Sequence, residues 1–181
     1  QKAVAAGHKP TVLNLFAYSG GSSLAAAQGG AQVCHLDASK GMVQQARDNA
    51  QLNGLEKAPI RWIIEDVMKF LQRELRRANT YDAIILDPPS FGRGSKGEVF
   101  KIEEEILSLL HTCKKCLSEN PLFLLFSCHS PNFSPLTMRY LLEDILPEGT
   151  IDHGEMVLSN DTNSIRPLPS GTFALWRKDH A

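Results

Sequence analysis

Thr11-Val12-Leu13-Asn14-Leu15-Phe16-Ala17-Tyr18-Ser19-Gly20-Gly21-Ser22-Ser23-Leu24-Ala25-Ala26-Ala27-Gln28 is the stretch whose reading decides the fold. Thr11 to Phe16 reads as a strand, the paired glycines as a turn, and the alanine-rich segment through about Gln28 as a helix. The same unit recurs along the chain. Gln32 to Leu36 is a second strand, and Ser39 can cap a helix whose Met42, Val43, Ala46 and Ala50 share a face and whose end is marked by Asn53-Gly54. Ile60 to Ile64 is a third strand, Asp66 to about Ala78 a helix, and Tyr81 to Asp87 a fourth strand. A loop with Gly92, Gly94 and Gly97 then runs into a helix over Ile102 to Leu117. Pro121 to Ser127, apolar at its centre, reads as a strand buried on both faces. Leu141, Leu142, Ile145 and Leu146 mark another helix, and the last strands fall around Ile151 to Leu158 and Gly171 to Trp176. This alternation predicts an α/β fold, a doubly wound seven-stranded and mostly parallel sheet.

The 181 residues suit one domain, which buries roughly 70% of the surface of its unfolded chain. Lys plus Arg number 19 against 20 Asp plus Glu, so no domain-wide basic field exists to bind phosphate backbones unaided. Without an apolar run of about 18 residues or an export leader, the expected location is the cytoplasm, with no membrane partner. The cysteines at 34, 113, 116 and 128 suit a reducing compartment. Cys113 and Cys116 have the zinc-like C-x-x-C spacing but no second pair, and Cys113 continues the apolar stripe Ile102, Ile106, Leu109, Leu110. His8, His35, His111, His153 and His180 form no metal pattern, so no metal is expected.

In a doubly wound sheet, ligands bind beyond the carboxyl ends of the strands. Ala17-Tyr18-Ser19-Gly20-Gly21 after the first strand lets the backbone pass close to a ligand, yet lacks the G-x-G-x-x-G spacing of pyrophosphate binders. Asp37 after the second strand can accept ribose hydroxyls, Asp66 after the third can accept from an adenine amine, and Val67 offers its amide. Each acid alone is equally a solvated turn residue. Together with Asp87 after the fourth strand they describe an adenosine cofactor with an amino-acid tail, S-adenosylmethionine. Pro88 and Pro89 have fixed φ and no N–H to donate, so Asp87-Pro88-Pro89 forms a stiff wall beside it. There Asp87 can accept from an exocyclic base amine and Phe91 can stack on a base drawn out of its strand. Arg93, Lys96 and Lys101 make either a phosphate-binding patch or a solvated lid, and Arg73, Arg76 and Arg77 read as a solvated helix face.

Val12 to Gly21, including Asn14, Phe16 and Ala17, with Leu36-Asp37-Ala38-Ser39-Lys40, Asn49, Leu52-Asn53-Gly54 and Ile85-Leu86-Asp87-Pro88-Pro89-Ser90-Phe91, resemble class I methyltransferases, and more narrowly the ribosomal RNA large-subunit cytosine-C5 methyltransferases and their uncharacterised bacterial relatives. The resemblance implies the Rossmann-like methyltransferase fold with its last strand antiparallel, S-adenosylmethionine as cofactor, and RNA as substrate. It implies cofactor contacts from Asn14, Phe16, Ala17, Tyr18, Ser19, Gly20, Gly21, Asp37, Ala38, Ser39, Asp66, Val67 and Asp87. It further implies a thiolate that adds to cytosine C6, and Phe126-Ser127-Cys128-His129-Ser130 supplies Cys128 at the mouth of the site for that role, with His129 beside it to lower the thiol pKa. Asp87, Pro88, Pro89 and Cys128 are thus the expected catalytic set, with Phe91, Arg93 and Lys96 toward the substrate. Residues 1–10 read as a linker stub and 11–181 as the catalytic domain of a longer protein. Methylation of a base nitrogen or a small molecule, a silent cofactor-binding module and, more remotely, a nicotinamide dehydrogenase are the competing readings.

Overall fold

The computed structural model describes residues 7, 9–93, 99–159 and 166–179. Most of the stub expected at 1–10, Lys96 of the expected substrate loop, His8 and His180 lie outside the described residues. The strands are β1 (Thr11–Leu15), β2 (Gln32–Asp37), β3 (Ile60–Ile64), β4 (Ala83–Leu86), β5 (Phe91–Arg93), β6 (Val99–Lys101), β7 (Phe123–Cys128), β8 (Thr150–Leu158) and β9 (Leu168–Arg177). The helices are α1 (Gly21–Gln28), α2 (Lys40–Leu52), α3 (Val67–Arg76), α4 (Ile102–Cys116) and α5 (Pro135–Ile145). Seven strands form one sheet in the order β3-β2-β1-β4-β7-β9-β8. Neighbours from β3 to β7 pair in parallel, and β9 runs antiparallel to both β7 and β8. The doubly wound sheet with an antiparallel last strand is therefore as expected.

Local chemistry places the helices. Ser39, Asp66 and Ser134 each accept a main-chain N–H in the first turn of α2, α3 and α5, and Pro135 opens α5 where a missing donor costs nothing. Glu103 to Glu105 sit in the first turn of α4 and Lys114 and Lys115 in its last, each complementing the helix dipole.

Alternate strand residues serve two different layers. Leu13, Leu15, Cys34, Leu36, Ile84, Leu86, Leu124, Phe126 and Cys128 pack against α3, α4 and α5 in the main core. Val12, Val33, Ala83 and Ile85 face Ala27 of α1 and Ala31 in a smaller cluster. Phe123 and Leu125 are only partly buried there. This corrects the expectation that the strand at 121–127 is buried on both faces. Helices α1 and α2 lie over β1 to β3, and Ala27 of α1 reaches Ala83 and Ile85 of β4, while Phe123 and Leu125 of β7 stay partly buried at the margin of this cluster.

The loop after β4 also differs from the sequence reading, since β5 and β6 pair antiparallel as a ribbon. Gly92 lies within it, and Phe100 of β6 packs tilted on Phe16 with ring centroids 5.2 Å apart. Arg73 is no solvated face residue, because its guanidinium pairs with Glu65 and stacks on Phe70.

Glu74 of α3 is fully buried. Burial pushes its carboxyl up, but hydrogen bonds from Tyr81 (2.7 Å) and Asn79 (3.1 Å), with Arg61 at 3.5 Å, outweigh that and hold it below the usual range. The cluster ties α3 to the start of β4. Tyr81→Phe leaves the buried carboxylate short of a donor and is expected to destabilise the fold by about 1–3 kcal/mol in urea titrations.

Candidate active site

The winding reverses between β1 and β4, so their carboxyl ends open a crevice at the edge of the sheet. The register carries neighbouring ends to the same level, with Leu15 beside Leu36 and Leu86, and Leu86 beside Phe126. Two adjoining cavities result. One, of about 670 Å³, is lined by Asp37, Ala38, Ser39, Asp66, Val67, Pro88, Pro89 and Phe100 among others. The second, of about 590 Å³, lies over Asn14, Ala17, Ser19, Gly21, Ile85, Leu125, Ser127 and the β8–β9 residues Met156 and Phe173. Phe16, Tyr18, Asp87 and His129 line both.

The turn after β1 is strained and heavily tied. Phe16 (φ 54°) and Tyr18 (φ 47°) lie in the left-handed region, which non-glycine residues seldom adopt. Main-chain bonds run from Ala17 N–H to Leu36 and from Gly20 N–H to Ala17, and Asn49 Nδ2 donates to the Ser19 carbonyl. Asp37 accepts Tyr18 N–H at 2.9 Å through Oδ2 and Ser39 N–H at 2.8 Å through Oδ1. Gly20 (φ 91°) lines neither cavity but has no room for a side chain, as a Cβ there would fall 2.9 Å from Ala46 Cβ. At Gly21, which lines the second cavity, a Cβ would enter open space.

A polar network that the sequence reading missed lies beneath this turn. Asn14 Nδ2 donates to Ser23 Oγ at 2.9 Å, and Ser23 Oγ lies 2.9 Å from His35 Nδ1. His35 is fully buried with Nε2 unpartnered, and its burial lowers the imidazole pKa to about 4. The signal was there in the two-residue steps Val12–Asn14 and Val33–His35, which put both polar side chains on the face toward α1.

The other expected residues divide clearly. Asp66 lines the first cavity while its Oδ1 accepts Lys69 N–H at 2.9 Å as the cap of α3. Asp87 Oδ1 is a buried atom with no protein partner, and Oδ2 lies 3.4 Å from His129 Nε2. Ser90 Oγ and Ser130 Oγ, 2.6 Å apart, fasten the loop after β4 to the loop after β7. Phe91 is half exposed on the ribbon and lines neither cavity. Lys101 donates to Glu104 at 2.8 Å, which offsets the positive patch expected there.

Cys128 corrects the expectation most sharply. It is 1% exposed, shares the α3–α5 face with Leu124 and Phe126, and accepts Ser130 N–H at its sulfur. It lines neither cavity, because strand alternation turns Ser127 toward the crevice and Cys128 away from it. His129, foreseen only as an aid to that thiol, stands in the site itself.

These features suit S-adenosylmethionine: carboxylates at three strand ends, a glycine turn with open space at Gly21, and an unsatisfied buried carboxylate oxygen on Asp87. Among the described residues no group of three or more His, Cys, Asp or Glu is placed to hold a metal ion, and no helix is long and apolar enough to cross a membrane.

Comparison with known proteins agrees with the geometry. A family model described as S-adenosylmethionine-dependent methyltransferase matches residues 1–155. The ribosomal RNA large subunit methyltransferase I of Aeromonas salmonicida is 32% identical over 144 residues, covering 79% of this chain and 35% of that protein. Its namesake in Tolumonas auensis is 30% identical over 170 residues, covering 90% and 41%. The chain therefore spans about a third to two fifths of these curated relatives. A solved SAM-dependent methyltransferase from Agrobacterium tumefaciens matches with a TM-score of 0.90 at 41% identity, over 95% of this chain and 57% of that one. A methyltransferase complexed with SAH matches with a TM-score of 0.74 at 28% identity, over 92% and 45%.

The His35 shift sets a pH dependence. Its folded pKa of about 4 lies below the ordinary value of 6.5, so the unfolded chain binds the proton first as pH falls. The stabilising contribution is complete above pH 6.5 and is lost toward pH 4, at up to about 1.4 kcal/mol per pH unit. Denaturation of wild type and His35→Gln from pH 7 to 4 is expected to show the steeper fall in wild type.

Proposed function

Since the chain belongs to the S-adenosylmethionine-dependent methyltransferase family, we propose that it methylates an exocyclic amine on a base of ribosomal RNA. The observation that carries the choice of acceptor is Asp87, which lines both cavities in a proline-stiffened wall and has one carboxylate oxygen, Oδ1, without a protein partner. When bound, S-adenosylmethionine supplies a methyl carbon made electrophilic by its sulfonium. The protein's task is then chiefly alignment, which can lower the barrier by several kcal/mol. Asp37, Ala38, Ser39, Asp66 and Val67 form the adenosine side, and Asn14, Ala17, Ser19 and Gly21 the amino-acid side. The Asp87 carboxylate accepts one amine N–H and so turns the nitrogen lone pair toward the donor. Pro88, buried, and Pro89 keep that carboxylate from swinging away.

An RNA substrate is supported by the names of the curated relatives, at 30% and 32% identity. Phe91, exposed beside the wall, offers a stacking surface for a base on its way in. Transfer to cytosine C5, the position implied by the family resemblance, is the weaker reading, since it needs a thiolate in the crevice and Cys128 faces the core.

Mass spectrometry of ribosomal RNA from a strain lacking the protein is expected to show one methylated base missing relative to wild type. An unchanged RNA methylation profile overturns the reading. In purified protein, Cys128→Ala is expected to keep wild-type transfer, whereas Asp87→Ala loses about 100-fold or more. Abolished transfer in a folded, cofactor-binding Cys128→Ala protein would restore the C5 route.

A further inference from the structure

We propose that His129 takes up the proton that the acceptor amine must lose on methylation; this rests on the amine reading above. With adenosine in one cavity and the amino-acid tail in the other, the sulfonium that joins them would lie where the two cavities meet. Among the described residues, only Phe16, Tyr18, Asp87 and His129 line both cavities. Two of these, Asp87 and His129, are an acid and an imidazole in mutual contact, Oδ2 to Nε2 at 3.4 Å.

The chemistry calls for such a pair. The amine nitrogen forms a bond to the methyl carbon with its lone pair, while the sulfur–carbon bond breaks and its electrons stay on sulfur. The nitrogen now carries a positive charge and one proton too many. That proton passes by way of Asp87 Oδ2 to His129 Nε2, 3.4 Å away, in the neutral tautomer that carries its hydrogen on Nδ1, and the carboxylate then offsets the imidazolium charge. The amine is left neutral and the electron count closes without any further reactant. With its side chain 56% exposed, His129 hands the proton on to water.

The surroundings hold the ring in place. Its neighbour Ser130 is tied to Ser90, so the loops bearing His129 and Asp87 are fastened to each other. On its other side lies Gly171 (φ 97°), where a Cβ would fall 2.8 Å from His129 Nδ1 and 2.7 Å from the Cys128 carbonyl oxygen. Only glycine leaves the imidazole room there. Of the other carboxylates lining the crevice, Asp37 has both oxygens on main-chain amides and Asp66 caps α3, whereas His129 stands directly beside Asp87.

The test uses ribosomal RNA from a strain lacking the protein, labelled S-adenosylmethionine for single-turnover transfer, and calorimetry with S-adenosylhomocysteine. His129→Gln keeps the size of the side chain but accepts no proton, so transfer is expected to slow by about 100-fold or more. The S-adenosylhomocysteine dissociation constant is expected to stay within about threefold of wild type. Added imidazole is expected to speed transfer by His129→Gly and not by wild type. Transfer by His129→Gln at the wild-type rate overturns this proposal and leaves the methyltransferase reading standing, as does a loss of S-adenosylhomocysteine affinity in parallel with rate. Wild type that binds S-adenosylhomocysteine but labels no RNA overturns the substrate reading and this proposal together.

Discussion

The Asp37 carboxylate is the constraint on which the site depends. With one oxygen on Tyr18 N–H and the other on Ser39 N–H, it joins the turn after β1 to the start of α2. Charge-assisted bonds of this kind are roughly twice as strong as neutral ones. They are needed here, because two non-glycine residues in the left-handed region cost of order 1–3 kcal/mol each. The Ala17–Leu36 main-chain bond and the Asn49 contact share the burden. The strain has a consequence for function: Phe16 and Tyr18 are held where the two cavities meet.

The sheet explains why the crevice opens on one side. Helices α3, α4 and α5 pack against one face from β1 across to β9 and bury Leu86, Phe126, Cys128 and Ala174 there. On the other face, α1 and α2 lie over β1 to β3, and Ala27 of α1 reaches Ala83 and Ile85 of β4. Beyond that cluster, Leu125, Ser127 and Phe173, with the edge of Ile85, form the floor of a cavity. The same division turns Asp87 toward the crevice and Cys128 toward the core. A one-residue change of register in β7 would exchange Ser127 and Cys128, which is how closely packing and chemistry are linked here.

The pairing of β4 with β7 carries the reactive end of the site. Ile85 opposes Leu125 and Leu86 opposes Phe126, so the next residues on each chain, Asp87 and Ser127, emerge side by side. The Ser90–Ser130 bond continues the pairing past the strands. Asp87 therefore has a stiff proline frame behind it and an imidazole in front, in a crevice whose remaining acids are engaged by main-chain amides.

The sequence by itself determined the strand and helix order, the glycine turn, the caps at Ser39 and Asp66, and the acids that gather at one edge. These follow from adjacent residues, through two- and 3.6-residue periods and from the bonds that serine and aspartate make to nearby amides. Tertiary structure decided what joins residues far apart in the chain. The Asn14–Ser23–His35 network, the ribbon formed by β5 and β6, the burial of Cys128 and the contact between Asp87 and His129 all depend on strand register and on which helices cover each face. Asp87 and His129 lie 42 positions apart, and no local preference links them. The parallel pairing that brings them to 3.4 Å is set by how the whole sheet packs.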